Sequence, residues 1–293
     1  MAAEKTSEAI SIQPILSDEQ KEQFVRDGYT VVRGLIPPDV VQKTREDLLQ
    51  SLGADLTDES TWRRGKETTD WAWGAGYLTE ACRSERVEQV VAELAGPNFL
   101  RGISYHTGKN SVGRESEEHG YIPVLTFPLA SRAQQEKRFV EPQGWHVDGI
   151  AGTDILPTVF MMVMLVYLTD VSSHGGATTV KPGSHRQLYE HWVQNGMTPI
   201  WELNNQYAPS LPIPGKAGDV IFFHYLLVHS GSDNFDDHIR VGLNTAVHQD
   251  PEHPFQHKTG APDESWTPFD YTVRVDNISG ARTLVPAPAP VIV

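Results

Sequence analysis

Apolar and polar positions follow two different rhythms along this chain. In the first hundred residues the apolar side chains recur at helical spacing, and from Gln143 onward they form short β-rich runs divided by glycine-containing turns. Ser17 followed by Gln20 has the spacing of a capping box, so a helix is expected to start there and to stop at Gly28. Tyr29 to Leu35 reads as a strand. Pro37-Pro38-Asp39 then opens a second helix, from Val40 to about Leu52, with apolar residues at Val40, Val41, Leu48 and Leu49. A third helix is expected from Arg86 to Leu94, ended by Gly96-Pro97.

The β-rich half begins with a strand that ends at His146 to Gly149. The run from Val159 to Leu168 has strand length and no polar alternation, which predicts burial on both faces. A turn at Ser172 to Gly176 precedes a short strand, Ala177 to Lys181, and Pro182-Gly183-Ser184-His185 closes it. Helix-like sequence follows at Gln187 to Asn195. Gly218-Asp219 introduces a strand, Val220 to His224; His229-Ser230-Gly231 forms a turn, and Arg240 to Val247 is a last long strand. These elements predict a mainly β fold, a sandwich or barrel buttressed by N-terminal helices, in one domain over 1–293. Residues 107–141 mix glycine, serine, charge and proline. They read as a loop or insert, either beside the active site or as a tolerated surface feature. Residues 1–14 and the Pro-Ala-rich 280–293 read as flexible tails.

Composition narrows the function. A formal charge of −14, from 24 Lys and Arg against 38 Asp and Glu, argues against nucleic acid. No apolar run is long enough for a membrane helix, and the N-terminus has no apolar signal segment. The single cysteine, Cys82, excludes an intrachain disulfide and a thiolate cluster, which fits a reducing, cytoplasmic setting. Oligomeric state is not readable from these features.

The chemistry concentrates at Gln143-Gly-Trp-His146-Val-Asp148-Gly149. On an extended segment residues i and i+2 share a face, so His146 and Asp148 can offer an imidazole and a carboxylate to one metal. A third ligand must come from elsewhere. His229, delivered by a buried strand into a Gly/Ser turn, is the candidate, and His224 within that strand is its competitor. Arg240 stands on an otherwise apolar strand. Buried, it would need an anionic partner such as a carboxylate held by parallel hydrogen bonds; exposed, it could pair with Asp236 or Asp237. The cluster around Trp71, Trp73 and Tyr77, and the methionines at 161, 162 and 164, read first as core packing, with a pocket role as the alternative.

Taken in order, these pieces resemble the phytanoyl-CoA dioxygenase family of Fe(II)/2-oxoglutarate-dependent oxygenases over about residues 16 to 250. The resemblance rests on Leu16-Ser-Asp-Glu-Gln20, Phe24-x-x-Asp27-Gly28-Tyr29, His146-x-Asp148, Gly175-Gly176 through Pro182-Gly183-Ser184-His185, Gly218-Asp219-Val-Ile-Phe-Phe-His224, and His229 with Arg240. It implies a double-stranded β-helix (jelly-roll, cupin-like) core, with Fe(II), 2-oxoglutarate and O2 as cofactor and cosubstrates. By position His146, Asp148 and His229 match the iron ligands and Arg240 the residue that grips 2-oxoglutarate. Gln143 and Thr179 match positions that line the cosubstrate, with Thr178 the rival by one register step. Strand parity sets Gln143 opposite to His146, so its role requires a bulge. Lys109 and His248 are candidates for the substrate pocket.

The resemblance further implies oxidation of a C–H bond of a small-molecule substrate, with release of succinate and CO2, by hydroxylation or by related desaturation, epoxidation or rearrangement. Halogenating relatives carry a small residue in place of the carboxylate, so Asp148 disfavours halogenation. No basic cluster is evident for an acyl-CoA, and a neutral specialised metabolite suits the acidic chain better. Two other classes remain open: a non-catalytic jelly-roll module that binds metal or 2-oxoglutarate, and a metal-dependent hydrolase with zinc at the same three residues.

Overall fold

The computed structural model describes residues 13–62, 65–68, 72–73, 77–95, 99–101, 120–129, 137–148, 160–195, 199–249, 271–275 and 282–286. Among the described residues the α-helices are α1 (Asp18–Asp27), α2 (Pro38–Leu52), α3 (Tyr77–Arg83), α4 (Glu85–Ala95) and α5 (Ser184–Asn195). The strands are β1 (Tyr29–Val32), β2 (Gly65–Thr68), β3 (Ala72–Trp73), β4 (Phe99–Arg101), β5 (Gly120–Phe127), β6 (Phe160–Tyr167) and β7 (Thr178–Val180). They continue with β8 (Leu211–Ile213), β9 (Val220–His224), β10 (His229–Gly231), β11 (Arg240–Gln249), β12 (Tyr271–Val275) and β13 (Arg282–Pro286).

The chain is β-rich with its helices mainly N-terminal. Local chemistry sets the start of α1: Gln20 N–H donates to Ser17 Oγ and Ser17 N–H to the Gln20 side chain, a reciprocal capping box. Gly28, at φ 82°, ends the helix in the left-handed conformation that glycine takes without a Cβ penalty. The strand that follows is shorter than expected, Tyr29–Val32, because the chain turns at Gly34, whose N–H donates to Asp219. α2 starts at proline and stops at Gly53, and it buries Val40, Val41, Thr44, Leu48 and Leu49.

An eight-stranded sheet runs β1-β9-β6-β11-β5-β2, with β3 also on β5 and β4 also on β11. A three-stranded sheet runs β10-β7-β8, and β12 and β13 form a separate hairpin. β6 explains why the large sheet needs cover on both faces. Met162, Met164 and Val166 join a core with Phe24, Val40, Val41, Val87 and Val91 of the helices. Val163, Leu165 and Tyr167 point the other way, into a second core with Val180 and Ile213 of the small sheet. Each fully buried apolar side chain contributes roughly 1.5–3 kcal/mol. The small sheet and the helices therefore close opposite faces of one continuous apolar strand. Met162 and Met164 lie on the helix side, so core packing is their role.

Two readings of the sequence need correction. Residues 107–141 hold β5, a strand deep in the large sheet between β11 and β2. Pro123 and Gly120 hide it, although Val124-Leu125-Thr126-Phe127 is rich in β-favouring residues. The C-terminal stretch read as tail contributes β13, which pairs with β12 from Tyr271↔Pro286 to Val275↔Arg282. No helix among the described residues is long and apolar enough to cross a membrane.

Candidate active site

His146 and His229 come together through the backbone before their side chains matter. His146 N–H donates to His229 C=O and His229 N–H to His146 C=O, both at 3.0 Å. The segment carrying His146 thus lies against β10 as a one-residue antiparallel bridge. Asp148 N–H donates to Tyr225 C=O at 3.2 Å, which fixes the carboxylate two residues further on. Lys181 holds the approach to this segment: its ammonium meets Glu141 at 3.1 Å and lies 4.5 Å from the centre of the Trp145 ring.

The ring orientations follow a shared pattern. His146 Nδ1 is 2.7 Å from Gly144 C=O, and His229 Nδ1 is 2.8 Å from Leu227 C=O. A carbonyl only accepts, so each Nδ1 carries the proton and each Nε2 presents its lone pair. His229 Nε2 lies 3.3 Å from one Asp148 oxygen and His146 Nε2 lies 3.8 Å from the other. The three potential ligand atoms all lie within 4.8 Å of one another. Two lone pairs and a carboxylate converging without a donor between them are stabilised by a cation, and two histidines with one carboxylate suit a divalent transition metal. Burial pushes the Asp148 carboxyl up, but an imidazole protonated at Nε2 as well faces it as a cation and a donor, His229 ahead of His146, and this outweighs burial and holds it below the ordinary carboxylate value. The residue is therefore an anion at neutral pH. The residues present fit a bound metal.

His224 does not compete for this role. It is buried in β9, where its Nδ1 accepts from Leu226 N–H at 3.0 Å and its ring lies 5.2 Å from that of His185. Phe223, its neighbour, faces inward and supports the His229 ring at 4.6 Å between centroids.

Arg240 opens β11 and is buried. Its Nη2 donates to Thr178 Oγ1 at 3.2 Å and its Nη1 to Val124 C=O at 3.3 Å, and the guanidinium lies 5.5 Å from the Tyr167 ring centre. Gly242 makes room for it, since a Cβ there would come within 3.3 Å of the Arg240 head. Tyr167 is itself locked: its hydroxyl donates to Ile213 C=O and accepts from Thr178 N–H. Burial lowers the Arg240 pKa from its ordinary value and Tyr167 opposes the shift; an arginine in this setting stays charged. Asp236 and Asp237 do not neutralise it, because they pair with Lys137 and His238. Among the described residues no carboxylate lies within ion-pair distance of Arg240.

Among the described residues, three buried polar atoms on the inward face lack a hydrogen-bond partner: Arg240 Nε, Thr126 Oγ1 and Asn244 Oδ1. Thr126 sits opposite Arg240 in the β5–β11 register. A buried cation beside an orphaned hydroxyl fits an anionic group supplied from outside the chain.

The other sequence candidates fall in different places. In the small sheet His229 pairs with Val180 and Gly231 with Thr178, so Thr178 shares the His229 face while Thr179 shares the opposite face with Ser230. The Thr179 hydroxyl bonds to Ala177 C=O. The structure thus brings Thr178, the rival by one register step, to Arg240 in place of Thr179. Gln143 is exposed, as His146 is, and its amide donates to Glu141 C=O. His248 lies on β11 where the register with β6 shifts, opposite Phe160 and Leu100. Lys109 and Trp71 lie outside the described residues. Trp62 and Trp192 are core, whereas Trp201 is 68% exposed. Sequence reading missed Thr126, Tyr167 and Asn244. Stepping by two from Arg240 along β11 reaches Asn244; Thr126 and Tyr167 needed the strand pairings.

Comparison with known proteins gives the chain a family. The phytanoyl-CoA dioxygenase (PhyH) family model matches residues 24–242. "Dioxygenase FrzG" of Cladobotryum sp is 27% identical over 232 residues, covering 76% of this chain and 71% of that protein. The peroxisomal phytanoyl-CoA dioxygenase of Rattus norvegicus is 19% identical over 246 residues, covering 78% and 68%. Among solved structures, the epimerase SnoN in complex with Fe3+, alpha ketoglutarate and nogalamycin RO aligns with a TM-score of 0.55 at 18% identity, covering 91% of this chain and 97% of that one. The chain belongs to the phytanoyl-CoA dioxygenase family, and with it to the Fe(II)/2-oxoglutarate-dependent dioxygenases.

Proposed function

We propose that this enzyme oxidises a C–H bond of a small-molecule substrate, with His146, Asp148 and His229 holding Fe(II) and Arg240 holding the distal carboxylate of 2-oxoglutarate. The carrying observation is the buried Arg240, whose cation has no carboxylate partner among the described residues. Thr178, in place of Thr179, and Thr126 are its companions in that cradle. The two sheets are read as the major and minor sheets of a jelly roll. The inward faces of β6 and β9 floor the chamber, and the bridge between His146 and His229 closes it.

When bound, the Fe(II)–2-oxoglutarate pair supplies the oxidising power, converting 2-oxoglutarate and O2 to succinate and CO2 as the substrate is oxidised. The protein's contribution is orientation and exclusion of water. Gly144 and Leu227 carbonyls keep both Nε2 lone pairs turned inward. Tyr167 holds Thr178 and faces Arg240, so the cosubstrate carboxylate meets a preset fork of donors. Val163, Leu165 and Phe223 give the chamber an apolar wall.

A zinc hydrolase would use the same triad but leaves the buried arginine without a purpose. A non-catalytic binding module would have no need to keep both Asp148 and Arg240. Turnover decides among them: with Fe(II), ascorbate and 2-oxoglutarate the protein should release succinate, and N-oxalylglycine should inhibit. Absence of both succinate release and N-oxalylglycine binding overturns the oxygenase reading.

A further inference from the structure

Asn244 lies on the inward face of β11, in register with Leu165 of β6 and Ile122 of β5. Parity places it with Arg240 and Gly242, while Val241 and Leu243 face the helix-side core. Arg240 and Asn244 are four residues apart, about 13 Å along a strand. The Arg240 head reaches back over Gly242 and spans part of that interval, so the amide lies just beyond the guanidinium. On the neighbouring strands, the next inward step past Asn244 and Leu165 is Ala246 and Val163, and Val163 pairs with Phe223, the ring that supports His229. Asn244 therefore occupies the floor between the Arg240 cradle and the level of the metal triad.

Its Oδ1 is buried without a hydrogen-bond partner among the described residues. A carboxamide oxygen accepts and cannot donate. At neutral pH 2-oxoglutarate is a dianion with a ketone, so it also only accepts and cannot satisfy this atom. Val163, Leu165 and Ile122 around it are apolar. The unmet acceptor fits an O–H or N–H supplied by a bound molecule.

We infer that Asn244 receives a hydrogen bond from the primary substrate, and that substrates of this enzyme carry a hydroxyl or N–H that reaches the chamber floor. This rests on the oxygenase reading above. It deepens that reading by defining a substrate class: alcohols, phenols, amines or amides, in preference to hydrocarbon chains lacking such a donor. A site built to accept from a hydroxyl discriminates strongly against an analogue without one, because its own polar group is left buried and unpaired.

The test uses the full-length enzyme and a panel of matched compounds, each alcohol, phenol or amide paired with its O-methyl or N-methyl twin. Binding is read as the rise in melting temperature with Mn(II) and N-oxalylglycine present, and turnover as stimulated succinate release. Donor-bearing members should be preferred over their blocked twins by about tenfold or more in KM or apparent affinity. Asn244→Leu should erase that preference. A panel in which no donor-bearing compound is preferred, or a preference that survives in Asn244→Leu, overturns the inference. Anaerobic titration of 2-oxoglutarate into the Fe(II) enzyme separates the two levels. Failure of the unaltered protein to bind 2-oxoglutarate sinks the oxygenase reading itself. Weakened 2-oxoglutarate binding in Asn244→Leu alone would assign the amide to the cosubstrate and overturn only the inference. The comparison within the unaltered enzyme keeps the test decisive even if the variant folds poorly.

Discussion

Arg240 and Thr178, 62 residues apart in sequence, meet inside the fold through a 3.2 Å hydrogen bond from Nη2 to Oγ1. The contact joins the large sheet to the small one at the point where the two inward faces carry their polar groups. Val180, two residues on and on the same face as Thr178, is core. The pair is a preset cradle for an anion.

The first prediction concerns that cradle. Arg240→Met should weaken 2-oxoglutarate binding by about a hundredfold or more, since charge-assisted bonds contribute roughly 1.5–3 kcal/mol each. Thr178→Val should cost about five- to tenfold, the value of one hydrogen bond. Thr179→Val, on the other face, should change the affinity by less than about twofold. Anaerobic titration of the Fe(II) enzyme measures all three. The reverse ranking of Thr178 and Thr179 would refute the assignment of faces.

Metal removal gives a second prediction. Ligand binding at a hundred times Kd stabilises a folded protein by about 2.7 kcal/mol. For a chain of this size that is several degrees of melting temperature. Chelation with EDTA should lower Tm by that order and Mn(II) should restore it. Asp148→Ala should remove both the metal-dependent shift and succinate release, because the two remaining imidazoles no longer enclose a charge. A full metal response in Asp148→Ala would exclude the carboxylate as a ligand.

Much of this site could be read from sequence because its parts obey local rules. His146 and Asp148 share a face by strand parity, Gly28 and Ser17 announce α1, and the unbroken run at β6 announces two buried faces. What sequence could not give depends on pairings between distant strands. Thr178 and Thr179 are equivalent until the register with His229 and Gly231 is known. Thr126 acquires meaning only by lying opposite Arg240, on a strand concealed by Pro123 and Gly120. The exposed-arginine alternative failed for the same reason: Asp236 and Asp237 are near in sequence, but they turn toward Lys137 and His238.

Asp236 yields a pH prediction. Its burial pushes the carboxyl up, but hydrogen bonds from Ser172 Oγ and Asp237 N–H, the Lys137 ammonium and the charge of His238 outweigh it and hold it well below the ordinary value. A carboxyl lower in the folded than in the unfolded state stabilises fully above the unfolded pKa of about 3.9 and loses that contribution as pH falls below it. Acid unfolding should therefore steepen below about pH 4. Asp236→Asn should be less stable at pH 7 and should show a flatter dependence through that window. Urea midpoints at a series of pH values measure it, and an unchanged slope in Asp236→Asn would assign the acid sensitivity elsewhere.

The last prediction separates backbone strain from crowding at one glycine. Gly28 and Gly34 both have positive φ, 82° and 58°, so alanine at either pays about 1–2 kcal/mol for the left-handed conformation. They differ in what surrounds them. A Cβ at Gly28 would stand 2.6 Å from Nδ1 of His185, whereas nothing lies within 4 Å of one at Gly34. The His185 ring cannot withdraw cheaply, because it is fully buried and its Nε2 lies 3.1 Å from Val25 C=O. Its neighbour Ser184 accepts from Val228 N–H, one residue before His229. Gly28→Ala should thus lose about 1–3 kcal/mol more than Gly34→Ala, the usual cost of overpacking. Because the displaced ring leads to the metal ligand, it should also weaken Mn(II) binding in a way Gly34→Ala does not. Equal urea midpoints for the two variants would mean that the ring yields freely and that α1 is not coupled to the site.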